Sequence, residues 1–388
     1  MQITGVPVAD QTIAIAMVAG EASGDFLASA LLPHLQIQWP GLISQGIGGP
    51  QMMRHGFDAW WPMEKLSVRG YVEVLRHYLE ISSIRSQLKK RLSQHKPALF
   101  MGVDAPDFNL GVAKHLRTLG VPTMQYVCPS IWAWRMDRVG MLRESVNHVL
   151  CLFPFEPALL EKHGIEATFV GHPLANVIPD QPDREKARLD LKIDNDRQVV
   201  AVLPGSRRDE IHRMMPRFLQ TFQLLQDKHP DLIGVLPAAP GMQALVKQCV
   251  DQGPLVKNLF VLNGQSHRAL AAADAAMVTS GTATLEAALF KCPMVISYDM
   301  PWLSWQITQA KRLQPWVGLP NILCQEFVVP ELLQERAKPR DIAHALMPWL
   351  QPSAEKDKLI MTFDALHQSL KADTQRLAVH AIEKVLST

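Results

Sequence analysis

With 388 residues, 47% of them hydrophobic, the chain exceeds the about 250–300 residues at which one core stops growing, so two domains are expected. Its 39 Lys and Arg against 37 Asp and Glu leave a net charge of +2, which excludes a dedicated nucleic-acid binder with its basic face and high pI. Five scattered cysteines without a CxxC pair, no charged signal segment and no apolar run near the ~20 residues of a membrane span exclude a disulfide frame, a zinc knuckle and an integral membrane protein, and point to a reduced, cytosolic setting.

Residues 12–19 (TIAIAMVA) read as a first buried strand, ending in Gly20-Glu21-Ala22-Ser23-Gly24-Asp25, with a helix through 26–35. Two glycines four apart let another molecule come close to the backbone, and suit an ordinary strand-to-helix turn equally well. Residues 42–46 form a second strand before the tight turn Gly46-Ile47-Gly48-Gly49-Pro50. The stretch 66–96 sets Val72, Val74, Leu75, Tyr78, Leu79, Ile81 and Ile84 against Arg76, His77, Arg85, Lys89, Lys90, Arg91 and Lys96, with Glu73 and Glu80 as counter-charges. Such a basic amphipathic helix suits an anionic lipid surface, or a solvated face over a core face.

A strand at 98–103 runs straight into Asp104-Ala105-Pro106-Asp107-Phe108-Asn109. Polar residues just past a strand's carboxyl end line the ligand crevice of open α/β sheets, which makes Asp104 the best-placed acid in the chain. Capping the following helix suits Asp107 better. The next strand, 122–127, leads into Cys128-Pro129-Ser130-Ile131-Trp132-Ala133-Trp134-Arg135. Two tryptophans there can pack on a sugar or acyl chain, or form a buried wall. A strand at 149–153 and Pro154-Phe155-Glu156-Pro157 follow, and Phe169-Val170-Gly171-His172-Pro173 closes the first half.

The Pro- and Asp-rich residues 178–183 suit a linker. Asp194-Asn195-Asp196 has the DxD form of a metal motif, but it precedes the 199–203 strand and reads as a turn. That strand is followed by Pro204-Gly205-Ser206-Arg207, whose amides can approach a pyrophosphate while Arg207 adds a charge-assisted bond. A helix at 210–225 and strands at 232–236 and 255–262 lead to the segment 273–298. Ala275-Ala276-Met277-Val278 is a buried strand, Ser280-Gly281-Thr282 a turn and helix start, and Met294-Val295-Ile296 the next strand. Such a unit places a helix N-terminus, with open N–H groups and partial positive charge, at the carboxyl edge of a parallel sheet. Glu286, one turn in, can accept two ribose hydroxyls or stand as a surface glutamate. Gly318-Leu319-Pro320-Asn321 adds an amide side chain on a third loop. Repeated strand–turn–helix units on both sides of the linker indicate an α/β protein with two doubly wound sheets facing one another, at 1–176 and 177–338. Residues 339–388, with Leu359, Phe363, Leu366, Leu370, Leu377 and Ile382 at helical spacing, form a helical tail. It is expected to pack back on the first domain or on a partner in a homodimer.

The order GEASGD, GxGGPxM, GVDAPDFN, YVCPSIWAWR, FPFE, VGHPL, LPGSRxxEI, SGTATLE, CPMV and LPNIL resembles the lipid-A-disaccharide synthase family, from about residue 13 to about residue 325. The resemblance implies a GT-B glycosyltransferase of Gram-negative bacteria with two Rossmann-like domains. It implies transfer of 2,3-diacylglucosamine from its UDP donor to 2,3-diacylglucosamine 1-phosphate (lipid X), giving the β-1,6-linked lipid A disaccharide 1-phosphate and UDP. On the matching motifs, Asp104 falls at the catalytic acid–base position, and Ser23, Arg207, Glu286 and Asn321 at positions tied to activity or UDP binding. The loop residues Gly205, Ser206, Ser280, Gly281 and Thr282 accompany them. Cys128 stands where relatives often carry serine; a thiol is a poorer donor, which speaks against direct catalysis there. An α-linked donor giving a β product requires inversion, hence a base for the acceptor 6-hydroxyl and support for the leaving UDP. Asp104 is the expected base, with Glu21 and Asp25 in reserve; Arg207 and the Thr282 helix hold the diphosphate. The scheme needs no metal and no cofactor. Diacylated substrates place Val72, Val74, Leu75, Tyr78 and Ile81 at the cytoplasmic face of the inner membrane, with Arg76, Arg85 and Lys89 on lipid phosphate. Trp132, Trp134 and Arg135 are then expected toward the acceptor. A UDP-sugar 2-epimerase and a non-catalytic nucleotide-sugar module are the rival readings.

Overall fold

The computed structural model describes residues 12–66 and 71–387, with backbone alone over 71–78. The chain divides into two compact units, one of Met1–Pro173 with Ala372–Thr388 and one of Leu174–Lys371. Among the described residues, each unit holds one sheet whose strand pairings are all parallel.

The first sheet has seven strands: β1 (Ala14–Ala19), β2 (Ile43–Gly48), β3 (Asp58–Pro62), β4 (Leu99–Val103), β5 (Thr123–Tyr126), β6 (His148–Cys151) and β7 (Glu166–Phe169). They lie in the order β3-β2-β1-β4-β5-β6-β7. Strands covered on both faces read as unbroken apolar runs, and β1 and β4 do so. Ile15, Met17 and Ala19 pack on one face with Leu27, Leu31 and Leu35 of helix Ala22–Gln38. Ala16, Val18 and Phe100 pack on the other with Leu110, Val112 and Leu116 of helix Pro106–Thr118. The chain leaves β1 toward β2 and β3, then returns to its other side as β4. Strand order therefore reverses between β1 and β4, where Ala19 pairs with Val103.

The second sheet has six strands: β8 (Val199–Leu203), β9 (Ile233–Ala238), β10 (Leu259–Asn263), β11 (Ala275–Val278), β12 (Met294–Tyr298) and β13 (Glu331–Leu333). The order β10-β9-β8-β11-β12-β13 reverses between β8 and β11, where Leu203 pairs with Val278. The expected central strands are all present. Strands β3, β7 and β13 lie outside the sequence expectations. Each is the last strand at one edge of its sheet, where a short segment needs no continuous apolar run.

The tail is not one body. Helices Pro339–Leu346 and Ala354–Leu370 pack within the second unit, on helices Arg208–Gln226 and Thr282–Leu289 respectively. Only helix Thr374–Leu386 returns to the first unit, against helix Ala22–Gln38, β6 and β7. Its Ala378, Ala381, Ile382 and Val385 are buried in that unit's core. The boundaries expected at 176 and 338 thus fall instead at Pro173 and Lys371.

Candidate active site

In α/β sheets of this kind ligands bind beyond the carboxyl ends of the strands where strand order reverses. In the first unit that point lies between β1 and β4, and the chain places Ser23 and Asp104 on its two sides. Glycines make this approach possible. A Cβ on Gly24 would sit 3.1 Å from the Val103 carbonyl, and one on Gly20 3.1 Å from the Ala105 Cβ. The Ser23 hydroxyl donates to Asp104 Oδ2 at 3.2 Å. Asp104 and Ala105 hold φ of 55° and 41°, left-handed values that non-glycine residues rarely adopt. One strand over, Val127 stands at φ 78° just past β5, an outlier for a β-branched residue. Strain of this kind concentrates at functional sites, and here it gathers on adjacent loops at one sheet edge.

Asp25 is removed as a reserve base. It is fully buried, and its carboxylate accepts from the N–H groups of Gly49, Gln51 and Met52, each at 3.0 Å. It caps the one-turn helix Pro50–Met53, whose open amides need an acceptor. Gly49 must be glycine here, because a Cβ would meet the Asp25 carboxyl at 2.6 Å. Asp107 does not cap helix Pro106–Thr118, whose N-cap is Ala105; it is exposed and ion-paired with Arg138.

The Trp132–Trp134 pair splits. Trp132 is a wall: its Nε1 donates to Glu156 Oε1 at 2.9 Å, and its ring meets Phe153 and Phe155 edge-on. Trp134 is 42% exposed, with the Arg135 guanidinium 5.1 Å from its ring centroid. Arg135 also pairs with Asp137 at 3.2 Å. Glu156 is the buried acid that sequence reasoning missed. Burial pushes its carboxyl up to about 7, against the bonds from Trp132 and the Phe153 N–H that favour its charged form. Cys128 is buried. A hydrogen bond with Cys151 and then burial push its thiol up, so no reactive thiolate stands there.

Helix Tyr71–Gln94 forms as expected. Val72, Val74, Leu75, Arg76 and Tyr78 lie on its backbone, but their side chains are outside the described residues. Farther along, Ile84, Leu88 and Leu92 are buried in the core. Two cations of this half are engaged with the protein. Arg85 donates to the Asp107 carbonyl at 3.4 Å, and Arg91 lies 3.8 Å over the Trp60 ring. Leu79, by contrast, is 74% exposed.

In the second unit both expected nucleotide loops flank the reversal point, 204–207 after β8 and 280–282 after β11. Gly205 takes φ 106°, and a Cβ there would lie 2.6 Å from Glu210 Oε2. Glu210 itself was missed. Its carboxylate accepts from the Ser206 and Arg207 N–H groups, each at 3.2 Å, and from Arg207 Nη1 at 3.0 Å. Glu210, three residues after the N-cap Arg207, thus reaches back to the open amides at the helix start, the glutamate half of a capping box, and a Glu at that spacing before an apolar helix was the available signal. Arg207 is 82% exposed and Glu210 11%, so the guanidinium can be reached by a ligand.

Gly281 adopts φ 148° and leads into helix Thr282–Leu289, whose N-terminus carries no side-chain cap. The Ser280 hydroxyl donates to the Val317 carbonyl at 3.1 Å, which ties this loop to the 317–321 segment. Glu286 is half-buried, 3.3 Å from Ser266 Oγ and 3.4 Å from His267 Nε2. Asn321 departs from expectation. It is fully buried, donating to the Val329 carbonyl and to Glu331 Oε1 and accepting from the Val329 N–H. Glu331 also takes the N–H groups of Val317 and Gly318. Asn321 therefore shapes the third loop rather than offering its amide outward. Among the described residues no cluster of three or more His, Cys, Asp or Glu forms a metal site. At the DxD segment the Asn195 carbonyl accepts from Arg188 at 2.6 Å.

Among solved structures, UDP-GlcNAc 2-epimerase from Neisseria meningitidis bound to UDP-GlcNAc aligns with a TM-score of 0.66 at 11% identity, covering 97% of this chain and 100% of that one. The calicheamicin glycosyltransferase aligns at 0.59 and 15% identity, covering 97% and 99%. Two parallel α/β units of this topology define a GT-B type protein. A family model for lipid-A-disaccharide synthetase matches residues 15–385. Lipid-A-disaccharide synthase of Albidiferax ferrireducens is 54% identical over 381 residues, covering 97% of this chain and 98% of the relative. That of Burkholderia thailandensis is 49% identical over 376 residues, covering 96% and 97%. The chain belongs to the lipid-A-disaccharide synthetase family, hexosyltransferases of lipid A biosynthesis.

Proposed function

We propose that the chain transfers 2,3-diacylglucosamine from UDP-2,3-diacylglucosamine to lipid X with inversion at the anomeric carbon. Asp104 takes the proton of the acceptor 6-hydroxyl as that oxygen bonds to the anomeric carbon. The bond to the diphosphate breaks, and UDP leaves with the electron pair. Arg207 and the Thr282 helix N-terminus meet the developing charge; Gly205, Ser206, Ser280 and Gly281 shape the loops, and Glu286 receives the ribose. Ser23 donates to the Asp104 carboxylate and fixes its direction. The observation that supports this most is the Ser23–Asp104 pair at the strand reversal of the first unit, with two anion-suited loops at the reversal of the second.

Epimerases share the fold, so fold alone does not choose between the two chemistries; family membership favours the transferase. The separating experiment is UDP release from UDP-2,3-diacylglucosamine with and without lipid X. The proposal expects release only with the acceptor. Release without it, or interconversion of donor stereochemistry, would contradict it.

The substrates carry acyl chains, so the enzyme would work at an anionic membrane surface, at the cytoplasmic face of the inner membrane. Among the described residues no helix is long and apolar enough to cross a membrane. We assign the contact to the first turns of helix Tyr71–Gln94, with exposed Leu79 continuing the apolar series Val72, Val74 and Leu75.

A further inference from the structure

The left-handed backbone at Asp104 and Ala105 is strained and persists only where the surroundings enforce it. The enforcement can be read bond by bond. The Asp104 N–H donates to the Tyr126 carbonyl at 2.8 Å. The Asp104 carbonyl accepts from Asn109 Nδ2 at 2.8 Å and from Gln125 Nε2 at 2.9 Å. Asn109 Nδ2 also donates to the Val18 carbonyl at 3.2 Å, which ties the same amide to β1. These partners are all carbonyls, so both side-chain nitrogens must point at them. Both amides are buried, Asn109 at 0% and Gln125 at 1% exposure. Among the described residues no hydrogen-bond donor reaches their oxygens, Asn109 Oδ1 and Gln125 Oε1. Gly102 makes room for the pair, since a Cβ there would lie 2.7 Å from the Asn109 Cβ and 2.7 Å from Gln125 Oε1.

A buried acceptor that no donor reaches costs stability. Two of them beneath two strained residues make a local arrangement that works against stability, as expected where geometry serves function. We propose that Asn109 and Gln125 are positioning residues, a pair of buried amides that grip the Asp104 carbonyl and so aim its carboxylate at the acceptor hydroxyl. The inference rests on Asp104 being the base.

The test measures kcat, donor KM and thermal midpoint for Asn109→Leu and Gln125→Met, which keep volume and remove the donors, each alone and in an Asp104→Ala background. Each single variant should lose about 10–100-fold in kcat, the cost of a misplaced catalytic group, with donor KM within about 2-fold. In the Asp104→Ala background the same substitutions should cost less than about 2-fold, because nothing remains to be aimed. Unchanged kcat, or equal losses in both backgrounds, would overturn the proposal. Gln125→Ala, which removes the donor and adds no bulk, decides the matter if a larger apolar variant fails to fold. Wild-type turnover by Asp104→Ala alone would instead remove the base assignment, a separate failure.

Discussion

At Glu156 the burial that shapes the Trp132 wall also makes a pH-dependent contribution to stability. Its carboxyl is raised to about 7 in the folded protein, above the about 4.3 of an unperturbed Glu. As pH rises from about 4.3, the unfolded chain ionises while the folded chain keeps the proton, so this contribution declines until about pH 7. His172, stacked on Phe153, acts in the opposite sense. Burial lowers it to about 4, so its contribution is present above about 6.5 and is lost as pH falls toward 4. Glu156→Gln removes the first effect alone. Its thermal midpoint should fall less than the wild type's between pH 5 and pH 8, by the equivalent of a few kcal/mol. Parallel curves for the two proteins would contradict the assignment. The same scale shows why Asp25 was misjudged from sequence. An acid in a Gly-rich turn looks available, and only the open amides at Gly49–Met52, more than twenty positions away, reveal it as a cap.

Among the elements, the two glycine loops after β8 and β11 were legible as strand-end turns because their signals are local. Gly205, Arg207 and Gly281 sit directly after strands that apolar runs mark clearly. The third loop was not, since the partner that turns Asn321 inward is Glu331, ten positions on and across a strand start. Edge strands β3, β7 and β13 were missed for a related reason: their pattern is set by neighbours, not by burial on both faces. Gly205→Ala tests the loop reading. The added Cβ would drive Glu210 from the amides it holds, in a backbone region that disfavours any side chain. UDP affinity by calorimetry should fall about 10-fold, the scale of one charge-assisted bond; unchanged affinity would count against a nucleotide role for this loop. Helix Tyr71–Gln94 carries its own test. Val72→Ser, Val74→Ser and Leu75→Ser together should release the protein from anionic vesicles in sedimentation, and undiminished binding would move the membrane contact elsewhere.

Across the whole molecule, the division into two units was readable from repeated strand–turn–helix segments and from length. The path of the tail was not, because helical spacing says which face is apolar but not which surface receives it. The final helix, Thr374–Leu386, completes the core of the first unit rather than ending the second. Ending the chain at Lys371 would uncover Ala378, Ala381, Ile382 and Val385 positions in that core, where each large aliphatic side chain contributes about 1.5–3 kcal/mol. Such a truncation should lower the first unit's melting transition and leave UDP binding by the second within about 2-fold, as expected for units with separate cores. Loss of UDP binding would contradict that partition.

The account as a whole rests on proton transfer by the first unit and nucleotide binding by the second. Asp104→Asn tests this most directly, through single-turnover rates with UDP-2,3-diacylglucosamine and lipid X and UDP affinity measured on the same sample. The account predicts a rate reduced by about 10²–10⁴-fold, the usual worth of a general base, with UDP affinity unchanged within about 2-fold. A rate that stays near the wild-type value, or UDP affinity that falls in step with the rate, would contradict it.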